Sequence, residues 1–399
     1  ESNSTGSYNT AVGYQSLDDT NADNNTAVGY RALYLNSTGS ENVAIGNNAL
    51  YANTTGTHNV ALGYQPLHDN TTGVRNIAIG DRPMDANTTA SYNLAIGYAA
   101  LYKSNTDYNL AIGADALHNH VGETCLAIGY QALLSNTTGN YNLAIGYKAG
   151  RTNSTAGQNT FIGYRAGEVS NASDVTYIGF DSGLNATGSS NTAVGHRTMD
   201  ASGCSGANNS AFGREALGGL TTGNNNTALG YFAGHDVTTG SGNVFVGYGA
   251  GSIATGEVNT YVGLNAGANM TTGGYNICLG YGGSCSNATT NHEILIGSYN
   301  NTGKGSNTAF INANGGAVYA GNNSSSFATT SDRRIKKNIV DNNVGLDAIN
   351  KVQVRNFEYR TADEIDELPT HSAIDRQGVQ RGVIAQEIKE VLPDMVKTE

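Results

Sequence analysis

The chain has 399 residues, of which 53 are glycine and only 4 proline, with no tryptophan, 13% charged residues and a formal net charge of −11. That acidity argues against nucleic acid or an anionic membrane as the main partner. Glycine without a three-residue period excludes collagen, and no apolar run approaches the roughly 18 residues that span a bilayer.

Residues 1–300 are governed by one short repeat. A glycine closes each copy, at positions 13, 29, 46, 63, 80, 97, 113, 129, 146, 163, 179, 195, 213, 230, 247, 263, 280 and 297, at intervals of 16, 17 or, once, 18 residues. The core of a copy reads as in Asn93-Leu94-Ala95-Ile96-Gly97-Tyr98. The residue before the glycine is apolar in all eighteen copies, and asparagine stands four before it in fifteen, the exceptions being Cys125, Val175 and Glu293. A second segment such as Gln131-Ala132-Leu133 or Lys148-Ala149-Gly150 follows, then a turn such as Asn136–Gly139. The first six residues read as the end of a repeat, so a piece of a longer protein is expected. No basic segment followed by an apolar one marks a signal peptide.

Seventeen residues hold two short strands and two turns, which is one coil of a β-solenoid or β-roll. Glycine suits a corner that needs positive φ or close backbone approach, and asparagine is the next best turn residue. Small alanine beside branched isoleucine or valine is expected to fill a narrow interior. Coils stacked about 4.8 Å apart would make a rod of roughly 85 Å. One coil cannot bury its apolar face alone, so stacking must supply the core.

Other residues in the repeats take plain readings. Cys125, Cys204, Cys278 and Cys285 lack metal-ligand spacing and are expected to be buried free thiols. Sequons at Asn53 and Asn136 recur because the motif makes turns. The tyrosines Tyr14, Tyr30, Tyr64, Tyr98, Tyr130 and Tyr147 are expected to pack along the rod rather than to bind sugar. Thr10, Thr26, Thr160 and Thr192 share a column with valine, isoleucine and leucine, which breaks any ice-binding array. His58, His68, His118, His120, His196 and His235 share no register and read as surface residues.

Composition changes after about residue 330. Residues 331–399 hold 24 of the 53 charged residues but only three of the 53 glycines. The expected division is a repeat solenoid over 1–300, a β-rich neck and linker over 301–330, and a small α+β module over 331–399. Within that module Val344–Val352 is expected to form a short amphipathic helix, with Leu346 and Ile349 on one face. Val354–Arg360 reads as a strand. Arg381–Leu392 reads as a strand end entering a helix stopped at Pro393.

The repeats resemble the β-roll head of trimeric autotransporter adhesins, and still more the arrays of tail-fibre and surface proteins. The segments Ser331–Ile339 and Gly382–Pro393 resemble, in order and spacing, the intramolecular chaperone domain of the peptidase S74 family, which ends many phage tail spikes and fibres. That resemblance implies a chaperone that drives homotrimer assembly and then cuts itself off. The family's serine–lysine dyad maps onto Ser331 and Lys336, with Lys337 one residue out of place. Asp332 and Arg334 then serve as structural charges, whereas without the downstream match Ser331 would read as a helix N-cap. A buried lysine of lowered pKa can take the serine proton. Attack by Ser331 on the Thr330 carbonyl closes a five-membered ring, so the Thr330–Ser331 bond is the expected cut.

The resemblance thus implies a virion tail fibre, or an extracellular surface protein if bacterial. Its partners would be two further copies and a host glycan or protein receptor, with no cofactor, metal, nucleic acid or membrane insertion. A bacterial adhesin with the same chaperone and a fibre-borne polysaccharide-degrading enzyme are the alternatives. No carboxylate pair set in a cleft-like insertion supports the enzyme.

Overall fold

The computed structural model describes residues 5–18, 20–297, 299–312, the backbone of 317–320, and then 347, 350–358 and 378–392. The chain divides into two compact units, Glu1–Thr329 and Thr330–Glu399.

The first unit is a parallel β-solenoid. Its strands β1 (Thr10–Val12) to β19 (Ala309–Asn312) come one per coil, each pairing in parallel with the next. The register never slips: Leu94, Ala95 and Ile96 face Leu110, Ala111 and Ile112, and so on along the ladder. The ladder runs one coil beyond the last closing glycine, and β20 (Ala317–Ala320) ends it by pairing antiparallel with β19.

The glycine spacing follows from the corner. Seventeen of the eighteen closing glycines have φ between 124° and 142°, a region open essentially to glycine alone. The backbones are also in contact there: a Cβ on Gly97 would lie 2.7 Å from the Gly113 carbonyl carbon. Each glycine thus turns its own coil and admits the next.

Each coil contains one strand, not two. In the second segment the residues two and four after the glycine are left-handed, as in Arg31 and Leu33, both at φ 52°. The segment still bonds to both neighbours, Arg31 N to Tyr14 O at 2.9 Å and Leu33 N to Ala49 O at 3.0 Å. Alternating left-handed residues point its Ala-Leu pair inward where an extended strand would have turned one of them out.

The core also differs from the expected pairing of alanine with isoleucine. Strand side chains alternate between faces, so Ala95 and Ala111 point inward and are fully buried while their apolar neighbours point outward. Ile45 is 41% exposed and Leu229 51%. The bulk of the interior comes from the second segment, from Leu33, Leu50, Leu101 and Leu133, each fully buried.

Where an aromatic ring replaces the inner alanine, glycine replaces the leucine beside it. Phe161 and Tyr177 stand among Gly150, Gly167 and Gly183; Phe245 and Tyr261 stand among Gly234, Gly251 and Gly267. A Cβ on Gly150 would come within 2.6 Å of the Phe161 ring. Volume is thereby conserved from coil to coil.

Two buried asparagine ladders complete the interior. In one, Asn76 N donates to Asn59 Oδ1 at 2.9 Å and Asn76 Nδ2 to Ala90 O at 2.7 Å, a pattern repeated up the solenoid. In the other, Asn53, Asn70 and Asn87 each donate to the asparagine one coil before, at 2.9–3.1 Å. These ladders satisfy corner groups that would otherwise be buried without partners.

In the second unit, β21 (Arg355–Phe357) pairs antiparallel with β22 (Gln380–Gly382), and α1 spans Ala385–Val391. Arg355 holds Glu387 of the helix at 3.0 Å. The strand and helix lie within the segments where hydropathy placed them. Of the helix expected over Val344–Val352, Leu346 and Ile349 lie outside the described residues.

Candidate functional site

The dyad inferred from resemblance, Ser331 and Lys336, lies outside the described residues, as do Thr330, Lys337, Asp332 and Arg334. The described part of that unit includes the β21–β22 pair and α1, which carry the second motif, Gly382–Pro393, as far as Leu392. The functional surfaces with visible geometry belong to the solenoid.

Aromatic rings on the outside of the solenoid stack on one another. Tyr130, Tyr147, Tyr164, Phe180 and His196 form a run with centroids 5.0–5.4 Å apart and planes within 19°. Shorter stacks join Tyr34, Tyr51 and His68, and Tyr92 with Tyr108. In these runs the faces of the inner rings cover each other and only edges reach solvent. A sugar needs an open ring face, so such stacks are packing devices that tie coil to coil.

The sequon asparagines Asn53, Asn70, Asn87 and Asn136 are fully buried in the inner ladder. A glycan cannot be attached there without opening the coil. The four cysteines are free and buried. Burial pushes the thiols of Cys125, Cys204 and Cys278 up to about 11, which makes them unreactive at neutral pH. Among the described residues no cluster of three or more His, Cys, Asp or Glu could hold a metal ion.

His120 corrects the surface reading. It takes the place of asparagine in the second inner ladder, is fully buried, and lies 3.3 Å from Asn136 Nδ2 through its Nδ1. Desolvation lowers its pKa to about 4, so it is neutral at pH 7. Counting seven residues on from Gly113 puts it in register with Asn136 and Asn153, and that count was the available signal.

A ladder of charges was not recognised in the sequence. Arg151 bonds Glu168 at 2.9 Å, Arg165 grips Asp181 through two bonds of 2.8 Å, and Arg197 holds Asp200 at 2.7 Å. These residues stand two or five places after their closing glycines, and in the first of these columns Arg165, Asp181, Arg197 and Glu215 alternate in sign. Beside them the 18-residue coil opens a depression of about 540 Å³, lined by Asp200, Glu215, Gly218, Gly219 and His235 among others. Each carboxylate is engaged: Glu215 is 3.1 Å from Arg214 and 3.5 Å from His235. The site is an ion-pair network and not an acid–base pair poised for glycoside cleavage, which calls for two carboxylates with opposed protonation states.

The architecture is thus that of a repetitive β-solenoid followed by a small separate unit. Residues 331–397 of that unit match the Peptidase S74 family model, described as chaperone of endosialidase. The chain therefore carries a chaperone domain of this kind behind a solenoid. No curated protein matches the chain. No helix among the described residues is long and apolar enough to cross a membrane.

Proposed function

We propose that this chain is the shaft of a homotrimeric fibre or adhesin for attachment to a host surface, most simply a virion tail fibre, and that its C-terminal domain assembles the trimer and then removes itself. The observation that carries this reading is the chaperone match at 331–397 behind nineteen in-register coils. Contacts between successive coils are local and form readily. Alignment between chains is another matter, because a one-coil slip of a uniform repeat sacrifices only the end contacts. A clamp at one end supplies the single correct register. Cleavage after assembly removes the route back and leaves the fibre kinetically trapped.

In the proposed cut, Lys336 takes the Ser331 hydroxyl proton and Oγ attacks the Thr330 carbonyl carbon. The C–N bond breaks, the Ser331 nitrogen takes up the proton as an amine, and water then hydrolyses the ester to free Thr330 as a carboxylate. The receptor is a host glycan or protein. The test is the mass of the full-length gene product with and without Ser331→Ala. Two fragments in the parent, the smaller beginning at Ser331, and one intact chain in the variant support the dyad. An intact parent chain refutes it, and a fragment beginning at Asp332 moves the cut.

A further inference from the structure

The outward face of the parallel sheet is the least ordinary surface of the solenoid. It is built from the residues three before and one before each closing glycine, thirty-six positions in eighteen repeats. Every one is Val, Ile, Leu, Phe, Thr or Ser, and none is charged. Along the strands these side chains stand part-exposed: Ile77 is 39% exposed, Phe212 40% and Leu229 51%. At a few tens of Å² each they form an uncharged strip of roughly 1,000–1,500 Å², apolar except for eight threonine and serine positions in one of its two columns, where a monomer's largest patch is roughly 300–600 Å² and a standard interface takes about 800 Å² from each partner.

We propose that this strip is where copies of the chain pack on one another, side by side, parallel and in register; the proposal rests on the trimeric reading above and assigns its interface. Three observations choose a second copy as the occupant. The strip keeps the coil repeat over its whole length, roughly 85 Å at about 4.8 Å per coil. A partner that covers it must share that pitch, and the chain itself does.

The edges also match. A rotation about an axis along the solenoid sets the edge five before the glycine on one copy against the edge one after it on the next. At equal height no two charges of like sign meet, and at the one level where both edges carry a full charge, that of Gly80, Arg75 faces Asp81.

The shapes agree at the same place. Arg75, Ile77, Tyr92, Leu94, Tyr108 and Leu110 line a depression of about 390 Å³ centred on the Gly97 coil. On the opposite edge of that coil Tyr98 projects, 55% exposed, with Asp81 and Ala114 rather than rings as its column neighbours. In register, the Tyr98 ring of one copy lies level with the depression of the next.

The test uses the full chain in two variants. In Arg75→Cys/Asp81→Cys the two thiols of one copy sit at opposite edges of the outward face, one just before the strand Ile77–Asp81 and one at its end, a span of up to roughly 20 Å, too far to bridge within a chain. In-register packing predicts disulfide-linked dimers and trimers on non-reducing gels. The second variant, Ile96→Asp/Ile112→Asp, places charge on outward positions that the coil interior does not use. It should keep the parent's circular dichroism yet sediment as a monomer at concentrations where the parent is fully trimeric. A trimeric parent whose cysteine variant does not cross-link, and whose aspartate variant stays trimeric, overturns the assigned face and leaves the trimer. A monomeric parent overturns both.

Discussion

His120 offers a sharp test of the inner ladder. Its folded pKa of about 4 lies below the ordinary 6.5 because the charged ring would be buried. Since the unfolded chain binds the proton more readily, the stabilisation is complete above pH 6.5 and is lost as pH falls from 6.5 towards 4. Between pH 7 and 4.5 the coil should lose about 2–3 kcal/mol from this group alone, at 1.36 kcal/mol per unit. Replacing it by the ladder's usual residue, His120→Asn, removes that term while every other titrating group is retained. The assay is amide hydrogen exchange of the segment 113–142 in both proteins at both pH values, corrected for the intrinsic rate. The variant's advantage should grow by about 2–3 kcal/mol on acidification, some tens of fold in protection. An advantage equal at both pH values would refute the reasoning.

The remaining predictions concern packing and backbone. Phe161→Ala should cost about 3–5 kcal/mol in urea unfolding. Adding Gly150→Leu to it, which refills the space the ring leaves while Gly167 stays small beside Tyr177, should restore part of the loss, whereas Gly150→Leu alone should prevent a stable coil. Asn76→Ala removes two ladder bonds and orphans the amide of Asn93, so about 2–4 kcal/mol should be lost in the same assay. Val258 is a β-branched residue at φ 58°, a conformation that costs about 1–3 kcal/mol; Val258→Gly should therefore raise the melting temperature, as Gly242 already holds the equivalent place one coil earlier.

The repeat was readable because its signals are local and recur. A glycine forced by its φ and by its neighbour's backbone cannot drift, so eighteen glycines marked eighteen coils. The cross-section was harder. Alanine and isoleucine adjoin in sequence, and only the strand's alternation shows that Ala95 enters the core while Ile96 does not. The left-handed second segment left no composition signal, since Gln131 and Leu133 are ordinary residues in an unusual backbone. The exchange of Ala-with-Leu for Phe-with-Gly was present in the letters but has meaning only once Gly150 and Phe161 are seen to touch. Likewise His120 is a scattered histidine until it is counted from Gly113. The Ser331–Lys336 pair rests on the family motif alone, because a dyad is a spatial fact that spacing cannot supply.

Native mass spectrometry of the matured full-length product tests the central claim most directly. The account predicts one species containing three shafts, each ending at Thr330 and each lacking the segment from Ser331 onward. A species of one uncleaved chain would contradict it.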